Sequence, residues 1–137
     1  MGVLWISHQN MFSHIITIDL RTLWINILLL LSVALAPFST ALLGRYPLQP
    51  IAVIAYGINA LVISILFNIL WFYLRTQHLT HDEPNQEIIA KRSKIVLVGP
   101  IAYSLTIVFS FLAVEISLGL FAFVTVFYII FGRRYFD

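Results

Sequence analysis

Between Leu23 and Leu43 the chain runs for twenty-one residues without a charged side chain, LWINILLLLSVALAPFSTALL. A helix needs about 20 apolar residues to cross the hydrocarbon core of a bilayer. It satisfies its own backbone hydrogen bonds while doing so. The pattern therefore predicts a membrane-spanning helix here. A second uncharged run extends from Pro50 to Leu74. The segment between them, GRYPLQ, holds Gly44 and Pro47. It predicts a tight loop and an antiparallel helix pair.

A polar stretch follows, Arg75–Lys94, with half of the chain's charged residues. It predicts a cytoplasmic loop. Within it, Asp82 stands just before Glu83 and Pro84. An acidic cap with proline in the first turn is a helix-start signal. From Ile95 to Phe131 the chain is apolar again except for Glu115. As one helix, that stretch would be roughly 55 Å long at about 1.5 Å per residue. That is too long for one crossing, so two spans are expected, Ile95–Ala113 and Ser117–Phe131, with a turn near Glu115. Residues 1–22 differ: Met1–Ser7 is apolar but too short to cross, and reads as the tail of a preceding helix followed by a cytoplasmic linker. The expected layout is thus 1–22, a helix pair over 23–74, a loop over 75–94, and a second pair with a basic end over 95–137. The fold class is all-α, a polytopic transmembrane helix bundle with four spans.

Composition narrows the function. The chain is 61% hydrophobic and 10% charged, where a soluble domain carries roughly 25% charged residues. The net charge is only +2, and the basic residues flank apolar runs, so nucleic acid is not an expected partner. They act instead as topology signals. With four spans, seven of the eight Lys and Arg residues fall on one side and Arg45 on the other. Cytoplasmic loops are enriched in Lys and Arg, so both termini and the central loop are expected in the cytoplasm. No cleavable leader or myristoylation signal is expected at the start of the chain.

Candidate chemistry is sparse. The chain has no cysteine, which excludes disulfides and thiolate metal sites. His78 and His81 are three apart, near Asp82 and Glu83. A structural zinc site wants four ligands, so a solvated pair is the simpler reading; no metal and no cofactor is expected. Glu115 has two readings, a carboxylate in a turn or a proton-coupling group in the membrane. Pro37 and Pro100 lie inside spans and predict kinks, with Ser39 and Thr40 placed to help satisfy the backbone at Pro37. Asn26, Tyr56, Asn59 and Asn68 read as polar links between helices. No catalytic triad, paired carboxylates or phosphate loop is present, so no enzyme is expected.

An ordered series of residues adds a family resemblance. It runs Trp5-Ile6-Ser7-His8, then Asp19 and Arg21, then Leu23-Trp24-Ile25-Asn26, Pro37-Phe38-Ser39-Thr40-Ala41-Leu42-Leu43-Gly44 and Tyr56-Gly57-Ile58-Asn59. This series resembles the transmembrane protein 175 family of potassium channels, in its short prokaryotic form. The resemblance is specific over residues 5–59 and only hydropathic afterwards. It implies a six-helix unit, four units to a tetramer, conducting potassium ions across a prokaryotic plasma (inner) membrane. In that family the first helix lines the pore and carries an Arg-x-x-x-Phe-Ser-Asp signature. Here Phe12-Ser13 is followed by His14, so the signature is not present. The resemblance implies that this chain begins near the end of the family's second helix. A late-assigned start codon, a truncated gene or a true short protein would each give that outcome. It also implies that His8, Trp24 and Asn26 support the pore helix without touching the ion. The expected partners are the potassium ion, the lipid bilayer and further copies of the chain. The alternatives are a small four-helix proton-coupled transporter using Glu115, or a non-conducting membrane scaffold or remnant.

Overall fold

The computed structural model describes residues 2–13, 15–77, 79 and 86–135. Five helices follow one another: α1 (Gly2–Ser13), α2 (Leu20–Arg45), α3 (Pro50–Thr76), α4 (Gln86–Ser110) and α5 (Val114–Tyr135). The two longest apolar helices are α2 and α3, each long enough to cross a membrane. The apolar stretches of the other two, Leu97–Ser110 and Val114–Ile130, are shorter.

Local sequence sets the helix ends. Asp19 caps α2, its Oδ1 accepting from the Thr22 backbone N–H at 2.9 Å. Such a carboxylate satisfies an amide that the first helical turn leaves without a partner. Beyond Arg45, the Tyr46 amide turns back to the Leu42 carbonyl at 3.0 Å. Pro50 then opens α3, where its missing N–H costs nothing. Arg45 lies 5.9 Å from the centre of the Tyr46 ring, and Arg75 5.8 Å from that of Trp71. One guanidinium–aromatic pair thus sits at each end of the α2–α3 hairpin, a combination suited to the bilayer interface.

Sequential helices pack as antiparallel neighbours, α2 on α3, α3 on α4, α4 on α5. The core joins Leu29 and Ala36 of α2 to Ile63, Leu70 and Leu74 of α3, with Met11 of α1 added from the side. Leu29, Leu70 and Leu74 are fully buried, whereas Leu31, Phe38, Ile51 and Phe123 of the same bundle stand outward. In a bilayer that outward apolar surface faces an apolar solvent, so packing rather than water exclusion holds the helices together. Small residues allow the close approach. A Cβ at Gly99 of α4 would meet Ser64 Oγ of α3 and come within 2.8 Å of Tyr128 Oη of α5.

Three boundaries differ from the sequence expectation. The α4 helix starts at Gln86, so it takes in the polar residues 86–94 that read as loop. Gln, Glu, Ala, Lys and Arg all favour helix, and hydropathy marks where a helix meets lipid rather than where it begins. The turn between the last two helices is Phe111-Leu112-Ala113, with the Ala113 amide bonding Phe109 O at 2.9 Å. Glu115 is not in that turn but in the first turn of α5, where the helix N-terminus favours an acid. At the other end, α1 extends to Ser13, six residues beyond the short apolar tail.

Candidate functional site

The candidate site lies where α1 meets the first half of α2. His8 and Asn26 are both half-buried. His8 Nε2 is 2.8 Å from Asn26 Oδ1. An amide oxygen only accepts, so the imidazole donates from Nε2. On α1 the ring is stacked between Trp5, at 6.1 Å, and Phe12, at 4.5 Å. Helical spacing produces this stack, since positions 5, 8 and 12 fall on one face. His78 and His81 lie outside the described residues, as do Asp82, Glu83 and Pro84.

The structure brings together two of the three residues that the resemblance groups. Trp24 is 60% exposed. It stands two positions before Asn26, which turns it to about the opposite face of the helix. Trp5, not Trp24, supplies the indole beside His8.

A second cluster fastens the same end of the bundle. Asp19 Oδ1 accepts from the Thr22 amide and hydroxyl, and Oδ2 accepts from the Tyr73 hydroxyl of α3. The hydroxyl of Thr22, then that of Tyr73, then the Thr22 amide hold the Asp19 carboxyl down from 3.8 to about 2. Nearby, the Ile16 amide bonds the Leu79 carbonyl at 2.8 Å, tying the α1–α2 linker to the segment after α3. The sequence carried a signal for the cap, an Asp three residues before Thr, but none for Tyr73, which lies 54 positions away.

Halfway along α2 and α3, Asn59 links the two helices. Its Nδ2 donates to Ser32 O at 3.1 Å and its Oδ1 accepts from Ser39 at 3.3 Å. This matches its reading as a polar link. Both α2 and α4 run on unbroken through Pro37 and Pro100. Ser39 and Thr40 do not reach the carbonyl freed by Pro37, which by the helical register is that of Val33. Both donate to Ala36 O instead, at 3.0 and 2.7 Å, because a helical hydroxyl reaches back only three or four residues. Glu115 is exposed at the start of α5, a poor position for a proton-coupling group buried in a bundle.

Among the described residues no group of three metal-ligating side chains occurs.

Apolar helices of membrane-spanning length, a polar clamp at one end and lipid-facing apolar surface define an integral membrane helix bundle. The family described as "Endosomal/lysosomal potassium channel TMEM175" matches residues 1–37, the segment that holds His8, Trp24 and Asn26. A protein of Streptomyces collinus named a potassium channel is 28% identical over 126 residues, covering 87% of this chain and 60% of the relative. One of Chamaesiphon minutus, also named a potassium channel, is 33% identical over 121 residues, covering 85% of this chain and 60% of the relative. The endosomal/lysosomal proton channel TMEM175 of Gallus gallus is 26% identical over 132 residues, 91% of this chain and 26% of that protein. The chain is similar to the TMEM175 family in its first 37 residues and to these channel proteins over most of its length. It spans about three-fifths of the length of the first two relatives. No solved structure matches it significantly.

Proposed function

We propose that this chain serves as a subunit of a potassium-conducting oligomer in a membrane. The observation that carries the reading is the His8–Asn26 hydrogen bond, 2.8 Å long and lying within the matched segment. A half-buried polar link between two helices is costly unless it is satisfied. Here it fixes where α1 sits on α2. In the proposed oligomer His8 and Asn26 hold the pore-forming part in register, Trp24 reaches outward to a neighbouring helix or subunit, and the bends that Pro37 and Pro100 permit shape the packing.

The proposed assembly is a homo-oligomer, a tetramer by family resemblance, in a prokaryotic inner membrane. Its orientation puts both termini in the cytoplasm. The helix order supports this: Arg21, Arg75, Lys94 and the positions of Arg133 and Arg134 fall towards one end of the antiparallel bundle, and Arg45 towards the other.

Reconstitution into potassium-loaded vesicles of the chain joined behind a family pore-lining helix tests the proposal. Potassium efflux above that of protein-free vesicles, reduced in His8→Ala, is the expected result. Efflux equal to that of protein-free vesicles, with the joined chain correctly inserted, would refute the subunit role.

A further inference from the structure

We propose that the bundle carries a binding site for an uncharged, membrane-partitioning molecule, one with a single hydroxyl or carbonyl group on a short apolar body. A cavity of about 550 Å³ lies among the helices, bordered by Tyr56, Asn59, Ala60 and Phe67 of α3, Tyr103 of α4 and Thr125 of α5. That volume falls in the range of roughly 300–1,000 Å³ that small-molecule sites occupy. Its make-up is that of a binding site too, with apolar walls and a few convergent polar groups.

The polar groups are held ready. The Tyr56 ring meets Phe121 edge-on at 4.8 Å, and the Tyr103 ring lies 6.2 Å from the same phenylalanine. One aromatic therefore backs both phenols. Among the described residues neither phenol has a hydrogen-bond partner, and neither oxygen is sealed inside protein. Both border the cavity. Asn59 is fixed by Ser32 and Ser39, which leaves its amide one further N–H to offer. Donors facing a hydrocarbon-like space without partners are unfavourable, and cavities that stay dry are apolar ones. The site therefore calls for an occupant that accepts hydrogen bonds.

Charge decides its class. Among the described residues that border it there is no acid, base or histidine. An ionised ligand would have no counter-charge at membrane depth, where unpaired charge is costly. A neutral head satisfies the phenols, and its apolar body covers Ala60, Ile63 and Phe67.

The photoreactive alcohol azioctanol tests this on the purified chain in lipid nanodiscs. The expected result is saturable labelling of the peptides that hold Tyr56 or Tyr103, suppressed by excess 1-octanol but not by octylammonium or octanoate. Ala60→Phe, which fills the cavity, should lower site labelling about tenfold, the ratio for a loss of 1.4 kcal/mol. Tyr103→Phe keeps the shape and removes one hydroxyl; octanol should then compete roughly two- to tenfold more weakly. Equal helicity and elution volume identify the folded variants. Linear labelling spread over the outer apolar faces, labelling unchanged in both variants, or competition by either charged analogue would overturn the proposal. Organic extraction of the purified chain separates two sources. A neutral lipid recovered at near one per chain points to the membrane, and its absence beside saturable labelling to a soluble ligand.

Discussion

Tyr73, near the end of α3, donates its hydroxyl to the carboxylate of Asp19, the residue that caps the start of α2. One acid thus does two jobs. It satisfies the first turn of α2 through Thr22, and it pins the far end of the neighbouring helix. The α2–α3 hairpin is closed by a short loop at the Arg45 end, and by this contact at the other.

Removing the carboxylate should therefore loosen both helices at once. Asp19→Ala should lower the thermal midpoint in detergent by a few degrees, about the shift expected for loss of one helix cap in a small protein. Asp19→Asn keeps a capping oxygen and should fall between Asp19→Ala and the parent. Tyr73→Phe should lower the midpoint without further effect in the Asp19→Ala background. Additive losses would show that the two residues act independently.

The same carboxylate predicts an acid dependence. Its folded value, about 2, lies below the ordinary 3.8. A group with a depressed folded value contributes stability above its unfolded value and loses it as pH falls through the folded one. The stability difference between the parent and Asp19→Asn should stay level from neutral pH to about pH 4. It should then shrink as the pH falls from 3.8 towards 2. Chemical denaturation across that window checks it. A difference that vanishes nearer neutrality would assign the effect to another group.

His8 and Asn26 should be coupled energetically. In a double-mutant cycle of His8→Ala and Asn26→Ala, the interaction energy should be about 0.5–1.5 kcal/mol, the range for one hydrogen bond between helices in a membrane. Trp24→Ala should not couple to His8, because it faces away. Trp5→Ala should, because its ring lies against the imidazole. Coupling to Trp24 instead would mean that α1 sits differently on α2.

Gly99 should tolerate no side chain. Gly99→Ala would drive a methyl into Ser64 Oγ and to within 2.8 Å of Tyr128 Oη. Overpacking of this kind costs about 1–3 kcal/mol. Adding Ser64→Ala should recover part of the loss, since it removes one of the two obstructing oxygens. Thermal midpoints of the single and double variants decide this. No loss in Gly99→Ala would mean that α3, α4 and α5 are less closely packed.

Much of this arrangement was legible in the residues. Unbroken apolar runs announce α2 and α3, and Pro47 and Pro50 punctuate the loop between them. The fold class follows because, in lipid, a segment must satisfy its own backbone, and a helix is the local way to do so. The series from Trp5 to Asn59 carried the family resemblance. Boundaries next to water were less legible. The start of α4 lies in polar sequence, where lipid imposes no pattern, and Glu115 marked the neighbourhood of a turn but belongs to the helix after it.

Sequence by itself determined that this protein is a helical membrane bundle and that α3 opens at Pro50, because these depend on neighbours within a few positions along the chain. Only the tertiary structure decided that His8 is bonded to Asn26 and stacked on Trp5 rather than Trp24. It also decided that Asp19 is held by Tyr73, and that Tyr56 and Tyr103 from separate helices border one cavity. Those relationships depend on how helices rotate and slide against one another. Between apolar surfaces in an apolar solvent, that rotation and register are set by side-chain packing and a few polar contacts, and hydropathy does not encode them.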